Sequence, residues 1–154
     1  MNRIYLCFII CLNFIVANGQ ILLQGDTNGL EDGFHKIEIN SFICSGLVKN
    51  GMQEGAWKTH HPNGQLHVLQ YFDNGKLNGL HIELNKNGFI ELQADFMNNK
   101  LNGKLLRFRT GGRLSLEENY VNDQLHGTKT VYYERGTVQE ESEFAHGFRN
   151  GNSS

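Results

Sequence analysis

Proline and cysteine are both scarce in this chain. Pro62 is the only proline, and the three cysteines are Cys7, Cys11 and Cys44. Cys7 and Cys11 fall inside an apolar N-terminal run, so removal of that run leaves one cysteine and no possible internal disulfide. The mature fold must then be held together by packing and backbone pairing alone.

The chain also has no excess of positive charge. The chain has 14 Lys and Arg against 16 Asp and Glu, a formal net charge of −2, and no basic block. A mildly acidic chain of this kind binds nucleic acid and anionic membranes poorly. Its apolar content of 39% is normal for a folded protein. We therefore expect a folded domain whose partner is not a nucleic acid.

The single long apolar run is too short to span a bilayer. It covers the thirteen residues 4–16, whereas a transmembrane helix needs about 20. Arg3 precedes the run, and the small residues Ala17 and Gly19 follow it, which is the layout of a secretory signal peptide. We predict a signal peptide over residues 1–19, cleavage before Gln20, and a lead-in over residues 20–30. The mature protein is then secreted or periplasmic, without stable membrane insertion.

Helical periodicity is absent over any long window, whereas glycine is abundant and regularly spaced. Two series of glycines recur every 24 residues: Gly55, Gly79, Gly103, Gly127 and Gly151, and then Gly64, Gly88, Gly112 and Gly136. Such a period is the signature of a repeat architecture. We predict a repeat domain over residues 31–151, with a degenerate unit at 31–54, units at 55–78, 79–102, 103–126 and 127–150, and a tail at 152–154.

Each repeat contains two short segments of strand-like pattern separated by glycine and asparagine. The stretch HHPNGQL predicts a three-residue hairpin loop, with Pro62 and Asn63 in a type I turn and Gly64 in the left-handed position. Gly88, Gly112 and Gly136 occupy the same position in later repeats. The predicted fold class is all-β: an antiparallel β-hairpin repeat meander in a twisted single-layer sheet.

Loop length also predicts which side chains share a face. A three-residue loop pairs Leu84 with Ile90 and, one step further along, Ile82 with Leu92. If the turns between repeats also take three residues, these side chains form one continuous apolar face. The column that begins at Leu77 then lies on the opposite, polar face.

The sequence GAWKTHHPNGQLHVLQYFDNGKLNG resembles the MORN repeat variant family. The resemblance covers residues 55–151 well and residues 31–54 weakly. It implies a MORN-like β-hairpin repeat scaffold without shared catalytic residues. Chains of this kind are commonly labelled YwqK-like antitoxin proteins, which would imply binding and neutralising a partner toxin.

One patch of the predicted polar face differs from the rest. It combines aromatic, apolar and imidazole side chains, with Trp57 opposite Leu69: Trp57, His61, His67, Leu69, Tyr71 and His81. Aromatic side chains on an exposed face often mark a contact surface. The alternative is local cross-strand packing of Trp57 on Leu69. His61, His67 and His81 are also the candidate metal ligands, although their spacing matches no metal signature, and we expect no cofactor.

These features favour an exported, non-catalytic repeat scaffold that binds another protein. An antitoxin or immunity protein is the alternative, and a metal-dependent enzyme using His61, His67 and His81 is a weaker one. We assign no catalytic residue, because a single-layer sheet offers no deep pocket in which a nucleophile and a base converge.

Overall fold

All strands of the described chain belong to one antiparallel sheet. The computed structural model describes Thr27 and residues 29–151, so the predicted signal peptide and the C-terminal tail lie outside the described residues. The strands are β1 Gly33–Ile39, β2 Phe42–Lys49, β3 Met52–His60, β4 Leu66–Asp73, β5 Lys76–Leu84, β6 Ile90–Met97, β7 Lys100–Arg109, β8 Arg113–Val121, β9 Gln124–Leu125, β10 Gly127–Tyr132, β11 Val138–Ala145 and β12 Phe148–Arg149.

The strands follow one another across the sheet in chain order. Each hydrogen-bonds to its sequence neighbours from β1 to β8 and from β10 to β12, while β8 pairs with both β9 and β10. The sheet is open, and the described residues contain no helix and hence none that could cross a membrane. The predicted all-β hairpin meander is therefore confirmed.

The hairpin loops that end at Gly64, Gly88, Gly112 and Gly136 have the predicted three-residue form. The His61 amide donates to the Gln65 carbonyl at 2.8 Å, and the Gly64 amide donates to the His61 carbonyl at 2.8 Å. Gly64 has φ of 84°, the left-handed conformation that closes this loop. Leu84 accordingly pairs with Ile90. A proline at the first loop position fits because its φ is preset for a type I turn.

The turns between repeats are shorter than predicted. Asp73 pairs with Lys76, which leaves a two-residue loop of Asn74 and Gly75 at φ 49° and 73°. Two successive positive φ values define a type I′ turn, whose twist matches that of the flanking strands. The prediction of three-residue turns here was wrong, because asparagine tolerates the left-handed region that the shorter turn requires.

A bulge beside each three-residue hairpin loop also changes the predicted pairing beyond the loop. Ile82 lies opposite Gln93 rather than Leu92, because the register shifts between Glu83 and Leu84. A shift of one residue moves a strand's side chains to the other face of the sheet. The pairing of Ile82 with Leu92 was therefore predicted wrongly, and so was the single apolar face built on it.

The face that holds the core is the one predicted to be polar. Successive cross-strand partners share a face, and one such row is buried at every member: Trp57, Gln70, His81, Ala94, Leu105 and Glu118. We call this side of the sheet the core face. Leu69, Ile82 and Leu106 lie on the opposite face and are only half-buried. The bulges and the shorter turns together cause this reversal.

The core at the N-terminal end is organised around an indole ring. Trp57 packs with Val48, Phe72 and Leu77, and Leu30 of the lead-in packs against the same group. The Leu77 column, which had no expected partner, is therefore part of the core. Burying each large side chain stabilises the fold by about 1.5–3 kcal/mol. A second cluster forms two hairpins along, from Ala94, Leu101 and Leu105.

Polar contacts replace this core at the C-terminal end. Arg149 takes the place that Leu77 has in an earlier repeat, and its guanidinium donates to Glu140 at 2.7 Å and to Ser142 at 2.5 Å. Ser142 is buried, whereas Glu140 is exposed. Terminal units of repeat proteins characteristically carry such polar substitutions.

Candidate functional site

The residues of the predicted patch are divided between the two faces. Trp57 lies opposite Gln70 on the core face and is only 6% exposed, while Leu69 lies opposite Lys58 on the other face. Tyr71 is also on that other face and is 40% exposed. The expected pairing of Trp57 with Leu69 is wrong, because the loop bulge shifts the register by one residue. The indole Nε1 instead donates to the Leu47 carbonyl at 3.0 Å.

His61 and His67 come together at the tip of one hairpin. Their ring centroids are 4.1 Å apart, and Phe42 lies against both. Ring nitrogens of both are at hydrogen-bond distance from the Leu84 carbonyl, at 3.3 and 3.0 Å. These contacts join one hairpin tip to the next, which is a structural role.

His81 makes its contacts elsewhere on the sheet, with Glu83. Its Nε2 is 2.8 Å from the Glu83 carboxylate, and the Phe96 ring meets the imidazole edge-on at 5.7 Å. His81 is 1% exposed and Glu83 7%, and His81 Nδ1 has no hydrogen-bond partner among the described residues. Nowhere in Thr27 and residues 29–151 do three or more histidine, cysteine or acidic side chains form a metal-binding group.

A second polar cluster occupies the same face further along the sheet. The Lys129 ammonium lies 2.8 Å from the buried Glu118 carboxylate, and the Tyr120 hydroxyl donates to the other oxygen of Glu118 at 3.0 Å. Burial raises the pKa of Tyr120 to about 12, and the charge of Glu118 and its hydrogen bond act in the same direction. The neutral phenol is therefore the form that the fold stabilises.

The Tyr120 contact predicts a loss of stability at alkaline pH. Its folded pKa of about 12 exceeds the ordinary value of 10.0, so the stabilisation is complete below pH 10 and is lost as the pH rises to about 12. One pKa unit corresponds to about 1.4 kcal/mol, and solvent screening of this half-buried group reduces the total to about 1 kcal/mol. Urea unfolding of the wild type and of Tyr120→Phe between pH 9 and 12 measures this loss of stability.

The wild type should lose stability over this range, and Tyr120→Phe should lose about 1 kcal/mol less. Tyr71→Phe is the matched control, since Tyr71 is largely exposed and its replacement should leave the pH profile unchanged. Equal profiles for the wild type and Tyr120→Phe would contradict the assignment.

An open groove of about 740 Å³ crosses the tips of three hairpins. We call it the arginine groove. Three arginines line it, namely Arg107, Arg109 and Arg113, together with the carboxylates Glu83, Glu91 and Glu134. Leu92, which lies directly opposite Arg107 on the neighbouring strand, supplies the apolar part of its wall. The groove combines charged and apolar surface, as ligand sites characteristically do.

The three arginines are not neutralised by carboxylates of the described chain. Arg109 donates to the Tyr132 carbonyl at 2.7 Å and Arg113 to the Glu134 carbonyl at 3.2 Å, so both reach only neutral acceptors. The Arg107 guanidinium has no hydrogen bond or ion pair to any described residue. All three therefore retain donors directed at a ligand or at water.

Sequence reasoning missed this groove, although a signal was present. Six arginines occur in the chain, and three of them fall within the seven residues 107–113. At the same positions of the repeat, two periods earlier, stand Thr59, His61 and Gln65. A local departure from the repeat consensus is thus the clue to the site.

Family comparison agrees with the repeat seen in the structure. The MORN repeat variant model matches residues 53–74 and 125–146, two segments that begin three 24-residue periods apart. The resemblance to this repeat type is therefore confirmed in both segments. A comparison with curated proteins finds no match.

Solved structures include a similar chain. It comes from the crystal structure of accessory secretory protein 1, 2 and 3 in Streptococcus pneumoniae, with 19% sequence identity and a TM-score of 0.39. The similarity covers 66% of this chain but only 19% of that one.

Proposed function

We propose that this chain, two segments of which match the MORN repeat variant, is an exported, non-catalytic scaffold that binds another protein. The sheet is a single layer, and nothing else in the described chain covers the hairpin tips. Repeat sheets of this kind present continuous surfaces to partners. Export is supported by the signal-like sequence of residues 1–19.

The arginine groove is the observation that carries this proposal. It is open to solvent and draws its lining from β5, β6, β7 and β8 and from Glu134 in the β10–β11 loop. A site spread over so many elements offers a contact surface rather than a closed chamber. Unpaired arginines beside apolar side chains are also the composition that protein interfaces favour.

The groove chemistry favours binding over catalysis. Ser115 is the one serine in its lining, and its hydroxyl donates to the Arg107 carbonyl at 2.9 Å rather than to a general base. A nucleophile needs an adjacent base held in place by a third group. His81 and Glu83 form an acid–base pair beside the groove, but both are buried and are hydrogen-bonded to each other.

The proposal predicts a stoichiometric protein partner outside the cytoplasm. Tagged full-length chain, expressed in its native host, should be recovered from the periplasm or medium with Gln20 as its first residue. Capture followed by reconstitution with the purified partner should give a stable complex. Leu92→Ser should weaken this complex at least tenfold, because an apolar contact beside Arg107 in the groove is lost.

Phe89→Ser is the matched control, because Phe89 is 49% exposed in the neighbouring loop and does not line the groove. It should bind as tightly as the wild type, and circular dichroism should show both variants folded. A chain that stays in the cytoplasm with Met1 in place would refute export. Absence of any stoichiometric partner would refute the binding role. A captured toxin whose activity the chain suppresses would identify the partner as the target of an immunity protein.

A further inference from the structure

We infer that the arginine groove binds the side-chain carboxylates of an extended, acidic and apolar peptide segment of the partner. This inference deepens the proposed function, because it assigns a chemistry to the ligand of the same groove. It starts from Arg107, which lines the groove without any charge partner in the described chain. The guanidinium presents donors in a planar fork that matches a carboxylate.

The two other arginines add a second, independent argument. Arg109 and Arg113 are direct cross-strand partners, and like charges placed directly opposite destabilise a sheet. Their bonds to the Tyr132 and Glu134 carbonyls order the side chains without removing the charge. No carboxylate of the described chain forms an ion pair with either arginine. A carboxylate of the ligand would therefore relieve the repulsion between them.

The carboxylates of the groove do not remove this preference for an anion. Glu83 is buried and directed at His81, 2.8 Å away. Glu91 and Glu134 are exposed, and neither forms an ion pair with a groove arginine. Solvent screens these exposed carboxylates and the equally exposed Arg109 and Arg113. Arg107 is partly buried and keeps all of its donors for direct bonds to a ligand.

The dimensions of the groove indicate an extended peptide as the ligand. From β5 to β10 there are four inter-strand spacings of about 4.8 Å each, or about 19 Å, which an extended chain crosses in about six residues. Alternate residues of such a chain point the same way. Carboxylates at every second position can then face the arginines together, and an apolar side chain in the same register can contact Leu92, which shares their face of the sheet.

The test is a titration of the purified, signal-free chain with short labelled peptides. Three hexapeptides carry the same N-terminal fluorophore: alternating Glu and Leu with an amidated C-terminus, alternating Gln and Leu with an amidated C-terminus, and alternating Gln and Leu with a free C-terminal carboxylate. Fluorescence anisotropy should show saturable binding of the Glu peptide that weakens as NaCl is added. Both Gln peptides should bind at least tenfold more weakly, since a charge-assisted hydrogen bond contributes about that factor.

Arg107→Gln should weaken binding of the Glu peptide about tenfold while leaving the unfolding midpoint unchanged. Arg135→Gln is the matched control, because it removes the same charge from the neighbouring hairpin loop without touching the groove. Equal losses in the two variants would show attraction by net charge alone and would overturn the inference. Equal binding of the Glu and Gln peptides, or binding of the free C-terminus alone, would overturn it as well.

The outcome is separable from that of the proposed function. If the captured protein binds Arg107→Gln as tightly as the wild type, the scaffold role stands and the groove assignment fails. If no protein is captured but the Glu peptide binds through Arg107, the groove assignment stands and the proposed protein partner fails.

Discussion

Gly46→Ala is expected to lower the free energy of unfolding by about 3 kcal/mol, the upper range for overpacking a core. A Cβ at this position would lie within 2.5 Å of Cε2 and Cγ of Trp57, well inside van der Waals contact. The indole would have to leave its site, losing its hydrogen bond to Leu47 and its packing against Val48 and Phe72. Urea unfolding followed by circular dichroism measures the loss.

The clash can be isolated with a double-mutant cycle. In a Trp57→Val background the ring is absent, so Gly46→Ala should cost less than about 1 kcal/mol, and the two changes should be strongly non-additive. Trp57→Val alone should be destabilising by about 3 kcal/mol, in the range for large-to-small core changes. If the losses of stability from the two substitutions simply add, the packing of the Trp57 ring does not require glycine at position 46.

Glu83→Leu is expected to be comparably damaging, at about 3 kcal/mol, because it leaves His81 buried with both ring nitrogens unpartnered. His81 Nδ1 already lacks a partner among the described residues, and Nε2 depends on Glu83. Glu91→Leu is the matched control, since Glu91 is an exposed carboxylate on the adjacent strand and its replacement should change stability by less than about 0.5 kcal/mol.

Replacing both members of the buried pair should restore much of the lost stability. A double variant, His81→Leu with Glu83→Leu, removes both polar groups from an apolar site beside Phe96, and such exchanges are often neutral. Chemical denaturation of the two single variants and the double variant gives the coupling between them. If the double variant loses as much stability as the two single variants added together, the two side chains do not stabilise each other.

The residues that stabilise the fold differ from those that can bind a ligand. Trp57 and His81 were candidate contact residues, but both are buried on the core face, so their replacement reports on folding first. Arg107 has the opposite character, with its guanidinium unbound and in the groove. Substitutions in the arginine groove should therefore be tested for binding, and substitutions in the buried row from Trp57 to Glu118 for stability.

The repeat, the strand content and the hairpin loops follow from local sequence. A 24-residue glycine period and the turn chemistry of Pro62, Asn63 and Gly64 act within a few residues, because they set which φ values the backbone can adopt. The pairing of Leu84 with Ile90 was predictable for the same reason. Local steric rules were sufficient to predict a meander of hairpins.

Which face holds the core was decided only by the tertiary structure. A one-residue bulge and a two-residue turn at Asn74 and Gly75 each reverse the side on which later residues lie. Asn-Gly favours the two-residue turn locally, but no comparable local signal specifies the bulge. The packing of Trp57 on Gly46 does distinguish them, but it depends on the pairing register of β2 and β3, which the repeat pattern alone does not specify. The arginine groove has the same origin, since three hairpins must be placed side by side before Arg107, Arg109 and Arg113 share one surface with Glu83.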